Sequence, residues 1–269
     1  MLTTIKKTRA LPSLFRTLSQ TPTNLSAKVK RFHSLEHNQL HSLGNEEFHP
    51  RARPFDPRQL FSDGTLVTPK DIVEYHKSSG ISYLAYPEAD SFYYEFGFYS
   101  PRTVVVAVDG ACPGNGTIQA QKSSFGVFFG PDSPLNTYDT ITRPSGEKHT
   151  NNYAELMAML HALELLKHHS ELRQWIFKHP LLIDCTFKIG VIIITDSKFV
   201  HDCLILWLPS WLKNGFRTIE GNPVANKDLI LRIHHMMELL SGDLDIQIWH
   251  VRREHNRDAD ELAIRALRT

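Results

Sequence analysis

The chain has 269 residues, 41% of them hydrophobic, enough for one sizeable core with a modest appendage and too many for a disordered tail. Thirty Lys+Arg against 29 Asp+Glu leave a formal charge of +1, an average that speaks against a protein devoted to gripping phosphate backbones. That average hides segregation: residues 1–35 hold seven basic and no acidic side chains, residues 36–100 five against ten, and residues 101–269 eighteen against nineteen.

The first 35 residues place Lys6, Lys7, Arg9, Arg16, Lys28, Lys30 and Arg31 among ten Ser/Thr, with apolar residues at roughly helical spacing. Such a composition suits a mitochondrial presequence and equally a basic disordered arm for nucleic acid; without a presequence the expected location is the nucleus or cytoplasm. Residues 36–60, with Pro50, Pro54 and Pro57, read as a linker. Residues 61–100 are acidic and carry Tyr83, Tyr86, Phe92, Tyr93, Tyr94, Phe96, Phe98 and Tyr99, a cluster too apolar to stay solvated and expected to pack on the domain that begins at residue 101. A stacking platform for bases is the alternative use of those rings.

From residue 101 the pattern becomes regular. Thr103 to Val108 is a β-branched run, and Ser124 to Gly130 and Tyr138 to Arg143 succeed it across Gly/Pro turns, which predicts an antiparallel meander. Tyr153 to His169 has helical periodicity, with Thr150 or Asn151 placed to cap it. Val191 to Thr195 is a short apolar strand of the kind buried in parallel pairing. Ser197 to Leu208 and Asn226 to Leu240 read as helices, Asp245 to Val251 as a last strand, and Arg257 to Leu267 as a terminal helix. The expected fold is α/β: a mixed five-stranded sheet, three antiparallel strands and then parallel ones, with helices on its faces. Cys112, Cys185 and Cys203 lack paired metal-ligand spacing, which excludes a disulfide framework or thiolate zinc site. No apolar run approaches the ~20 residues of a membrane span, so no membrane partner is expected.

Four acids stand where these elements begin or end: Asp109, Glu155, Asp196 and Asp260. Strand ends in a partly parallel sheet share one rim, where open α/β sheets bind ligands. If the two helix-start acids project toward it, four carboxylates converge, and such a cluster stays ionised only around a cation. Oxygen-only ligands favour Mg²⁺ or Mn²⁺. Two ions about 3.5–4 Å apart make the clamp for in-line displacement at a phosphodiester, a hydrolytic site for nucleic acid. Taken singly, each acid has a local use: Asp109 before Gly110 in a turn, Glu155 and Asp260 complementing helix dipoles, Asp196 and Ser197 in a cap.

The segments Val108-Asp109-Gly110-Ala111-Cys112, Asn115-Gly116, Phe125 to Gly130, Thr150-Asn151-Asn152-Tyr153-Ala154-Glu155, Ile194-Thr195-Asp196-Ser197, Trp207 to Thr218, Pro223 to Lys227 and Asn256 to Asp260 occur in a recognisable order. In that order they resemble the ribonuclease H type 1 family, over about residues 102–268, in the form of its divergent plant and fungal members. The resemblance implies a ribonuclease H-like fold and cleavage of the RNA strand of RNA/DNA hybrids by a monomer, leaving 5′-phosphate and 3′-hydroxyl ends. It puts Asp109, Glu155, Asp196 and Asp260 at the family's metal positions. Asn115, Asn151 and the backbone at Cys112 then stand against RNA 2′-hydroxyls, the group that separates RNA from DNA. Lys148, Thr150 and Asn226 correspond to a pocket for a DNA phosphate. Trp207 to Thr218 corresponds to a basic protrusion, with Trp207, Trp211 and Phe216 against deoxyribose and Lys213, Arg217 and Lys227 near phosphates. Trp207 and Trp211 at i, i+4 also fit a core stripe.

Two departures stand out. The family's loop carrying a catalytic His is shortened here to Arg252-Arg253-Glu254-His255-Asn256, without Gly. His255 is the candidate inside it, since His250 precedes Val251 within the strand. The segment Glu171 to Lys188 is an insertion away from the site. A hybrid-binding module without efficient cleavage is the alternative function, and replication, in mitochondria if the presequence is real, is the expected setting.

Overall fold

In the computed structural model of the chain, the described residues are 52–60, 66–85, 103–144, 146–169 and 188–269. They all lie within the unit His49–Thr269. The arm at 1–35, most of the linker, the aromatic residues from Tyr86 to Tyr99, and the insertion up to residue 187 lie outside them.

Three strands precede the expected first one: β1 (Ala52–Pro54), then, after the short helix α1 (Pro69–Ile72), β2 (Val73–His76) and β3 (Ile81–Leu84). The regular region supplies β4 (Thr103–Ala111), β5 (Ser124–Phe128), β6 (Thr137–Thr140), helix α2 (Asn151–His168) and β7 (Ile189–Thr195). Helix α3 (Lys198–Asp202) runs through one π-helical turn (Cys203–Trp207) into α4 (Leu208–Asn214). Helix α5 (Lys227–Leu240), β8 (Leu244–His250), a 3-10 turn (Arg253–His255) and α6 (Arg257–Ala266) complete the order. The helix expected over 197–208 thus extends to Asn214. Its wide turn has a local cause: Pro209 has no N–H to give and its ring crowds the preceding turn, and Leu208 N–H donates to Cys203 O, five residues back.

Among the described residues the sheet has eight strands, the expected five and three more, in the order β1-β8-β7-β4-β3-β2, with β5 and β6 branching from β4. β7 is parallel to β4 and to β8, while β4, β5 and β6 form the antiparallel meander. One edge of β4 is shared: β3 pairs at Val104 and Val105, and β5 takes over from Ala107 to Ala111. β1 lies parallel to β8, so the stretch expected as linker is, from Ala52, part of the sheet.

β4 alternates between two cores. Val104, Val106 and Val108 face the apolar side of α2 (Leu156, Met159, Leu160, Leu163) and of α5 (Ile230, Ile233, Met237). Val105 faces the opposite side with Ile192, Ile194, Trp249 and Val251. The segment before residue 101 covers that second core: Ile72 and Leu84 are buried in it, and Phe55 meets Trp249 edge-on at 5.0 Å. Arg53 adds a two-point bond to Asp245, at 3.1 and 2.5 Å. Among the described residues no helix is long and apolar enough to cross a membrane.

Ile72 is 2% exposed, so Ile72→Ala should cost about 2–4 kcal/mol in urea unfolding of the full chain. Unchanged stability would mean that the segment is a passive linker.

Candidate active site

Thr150 caps α2, its Oγ1 accepting from Tyr153 N–H at 3.2 Å, which brings Glu155 into the second turn over the end of β4. The approach is very close: a Cβ on Gly110 would lie 2.2 Å from Glu155 N. On the other face, a Cβ on Gly126 would lie 2.5 Å from Ala259 O of α6. Gly126 is the cross-strand partner of Asp109, so α6 sets Asp260 on Asp109's side of the sheet. Asp196 comes directly after β7, the parallel neighbour of β4, on the same rim. The structure therefore brings the four acids together.

Their environment is electrostatically expensive. Asp109 is 5% exposed, and burial first, then the charges of Asp196 and Asp260, push its carboxyl up to about 8. Burial, with Asp196 adding to it, pushes Glu155 up to about 7, against the Ser197 hydrogen bond and the Arg253 charge. Each of the outer carboxylates holds a protein donor. Ser197 Oγ donates to Glu155 Oε2, and Asn151 Nδ2 donates to Oε1 at 2.6 Å. Asn256 Nδ2 donates to Asp196 Oδ1 at 2.7 Å, and Arg253 donates to Asp260 Oδ1 at 2.6 Å.

The donor set fits a hard divalent cation: oxygen ligands only, with Asn256 Oδ1 buried beside them and lacking a hydrogen-bond partner. Among the described residues, however, no three His, Cys, Asp or Glu side chains are arranged to hold one ion, and Asp260 and Asp196 are engaged by the donors just named.

The remaining expected residues surround this rim. Asn115 Oδ1 accepts from Asn151 N–H at 2.9 Å, tying the exposed loop after β4 to the start of α2, while Cys112 is buried at the base of that loop. Lys148 is exposed and Thr150 half-buried ahead of α2. Asn226 takes a left-handed conformation, φ 60°, as the cap of α5, its carbonyl accepting from Ile230 N–H. Trp207 is 38% exposed, whereas Trp211 packs against the main core, so the core-stripe reading describes Trp211 better than Trp207. The rings run on from Trp207 to Trp211 (5.6 Å) and Phe216 (6.1 Å), with Lys227 Nζ 5.5 Å from the Phe216 ring and Lys213 and Arg217 exposed.

His255 is not brought into contact with the carboxylates. Its charge is felt at Asp71, just before β2, and its Nδ1 is buried without a hydrogen-bond partner. The side chain of this turn that reaches the cluster is Arg253. Sequence reasoning missed Arg253 and Asn256. Asn256, 2% exposed, also donates to Val108 O at 3.0 Å, and its carbonyl accepts from Asp260 N–H at 3.2 Å. Its place four residues before Asp260, at a helix start, was the available signal.

The family model described as RNase H matches residues 101–268. Ribonuclease H of Schizosaccharomyces pombe is 36% identical over 167 residues, 62% of this chain and 53% of that protein. Ribonuclease H1 of Homo sapiens is 33% identical over 170 residues, 61% of this chain and 50% of that protein. Ribonuclease H of Prochlorococcus marinus (strain NATL1A) is 30% identical over 167 residues, 60% of this chain and 85% of that protein. The chain spans about half the length of the fungal and human relatives.

The geometry of the cluster makes its titration and its bracing measurable. Asp109 and Glu155 ordinarily titrate near 3.8 and 4.5, so without divalent ions the fold keeps protons there that the unfolded chain has released. The stability they contribute is complete below about pH 4 and is lost as pH rises through about 7 and 8. In EDTA, Tm should therefore fall from pH 5 to pH 8, and Asp109→Asn should flatten the fall; a rising Tm over that range contradicts the burial. Asn256→Ala strips donors from a buried carbonyl and a half-buried carboxylate and should cost about 2–3 kcal/mol in chemical unfolding, where an unchanged midpoint would deny the brace.

Proposed function

The chain belongs to the ribonuclease H family, and we propose that it is a metal-dependent endoribonuclease cutting the RNA strand of RNA/DNA hybrids. The observation that carries this reading is the convergence of Asp109, Glu155, Asp196 and Asp260 on one rim, where burial and mutual repulsion push the carboxyls of Asp109 and Glu155 up. Those four carboxylates would hold two Mg²⁺ or Mn²⁺ ions. When bound, such ions supply the positive charge that activates water and stabilises a leaving 3′ oxygen, giving 5′-phosphate and 3′-hydroxyl ends.

The chain's own residues do the positioning. Asn256 fixes the Asp196 carboxylate against the end of β4, and Ser197 and Asn151 fix that of Glu155. Asn115 and Asn151, joined to each other beside Glu155, offer amides to 2′-hydroxyls, with the backbone at Cys112 completing the groove on the RNA side. Lys148, Thr150 and Asn226 receive a phosphate of the DNA strand, and Trp207, Trp211, Phe216, Lys213, Arg217 and Lys227 carry its sugar and backbone further along. The protein acts as a monomer, in replication-linked removal of RNA, in mitochondria if residues 1–35 direct it there and in the nucleus or cytoplasm otherwise. A hybrid-binding module with weak cleavage draws support from one observation, the occupation of Asp260 by Arg253.

The test uses the full chain with Mg²⁺ and end-labelled hybrid, duplex RNA, duplex DNA and single-stranded RNA. Internal cleavage of the hybrid's RNA strand alone is expected, reduced at least ~100-fold by Asp196→Asn. Equal cutting of single-stranded RNA, or tight hybrid binding without cutting, would refute it.

A further inference from the structure

Arg253 brings a permanent positive charge into the place where a metal-dependent site needs its carboxylates free. Its guanidinium donates to Asp260 Oδ1 at 2.6 Å. It also lies near enough to Glu155 for its charge to be felt there. A lone pair engaged by a guanidinium is not available to a cation, and two positive charges on one carboxylate repel. Asp109 and Asp196, by contrast, carry no cationic partner among the described residues: Asp109 meets Asp196, Asp260 and the Gly110 N–H, and Asp196 meets Glu155 and the amide of Asn256. The rim is thus divided into an open half at Asp109 and Asp196 and a half capped at Asp260.

The cap is built to be displaced. The Arg253 side chain is 71% exposed and hangs from a 3-10 turn of three residues, so its bond to Asp260 is of the weak, solvent-screened kind. Arg253 and Asp260 themselves line an open cleft of about 620 Å³ together with Glu254, Arg257, Glu261, Ile264 and Arg268, so the ion pair faces solvent rather than packed side chains. We propose that Arg253 is a built-in counter-ion that competes with a divalent cation for Asp260, so that this residue sets how much free cation the site needs. The inference rests on the metal-dependent reading given above.

Binding of Mn²⁺ to the full chain, without nucleic acid, tests it by titration calorimetry and by the electron paramagnetic resonance of free Mn²⁺. Arg253→Gln should bind its weaker ion about fivefold to tenfold more tightly than the unaltered protein, and Arg253→Lys, which keeps the charge, should stay closer to the unaltered value. Circular dichroism checks that each variant is folded, which the exposure of the side chain leads one to expect. Unchanged Mn²⁺ affinity in Arg253→Gln, or equal tightening in Arg253→Lys, overturns the proposal while leaving the nuclease reading intact. Folded protein that binds no Mn²⁺ in either form overturns both.

Discussion

Two missing side chains hold the rest of the structure in place. With no Cβ at Gly110, the start of α2 rests directly on the end of β4; with none at Gly126, α6 rests on β5. The register that sets Gly126 opposite Asp109 makes these two approaches meet at the same strand end, from opposite faces. A methyl group at either position would sit less than 3 Å from helix backbone and push one acid-bearing helix away from the other. The four carboxylates are neighbours because helix termini can touch the sheet there, and the parallel β4–β7 pair adds Asp196 to the same rim.

That proximity is opposed by electrostatics, and the surroundings show how it is sustained. Burial and like charge together push the carboxyls of Asp109 and Glu155 up, so ionising the cluster without a cation is costly. Ser197, Asn151 and Asn256 give hydrogen bonds without adding charge, and Asn256 joins three of the chain segments involved: the end of β4, the end of β7 and the start of α6. Among the described residues only Arg253 answers charge with charge, from the exposed edge, where its hold is weakest. A site of this kind is strong in geometry and unsatisfied in charge, the condition in which divalent ions bind well.

Much of this was legible in the sequence, and the omissions have physical causes. β4 and β7 are apolar runs long enough to declare themselves, β8 alternates, α2 is long and rich in helix-forming apolar residues, α5 has clear helical periodicity, and the four acids stood out by their places at element ends. β1 to β3 did not, because they are three or four residues long and exist through pairing with distant partners: β1 with β8, β3 with β4. Ile81–Leu84 is buried at every position, which erases the alternation that marks a half-exposed strand. Which side chain of the shortened loop reaches the acids depends on the 3-10 turn, and membership of that loop suggested His255 where the turn presents Arg253. The spacing of Trp207 and Trp211 fits a core stripe and an exposed platform alike; tertiary packing assigns Trp211 to the core and leaves Trp207 outward.

Four carboxylates on one rim act together, on this account of the chemistry, as a divalent-cation site. Anomalous diffraction from crystals of the full chain grown with Mn²⁺ addresses it directly. Strong peaks are expected at the rim, about 2.1 Å from oxygens of Asp109 and Asp196, with Glu155 or Asp260 completing the coordination. Well-ordered carboxylates with no peak among them, or Mn²⁺ bound only elsewhere on the surface, would contradict it.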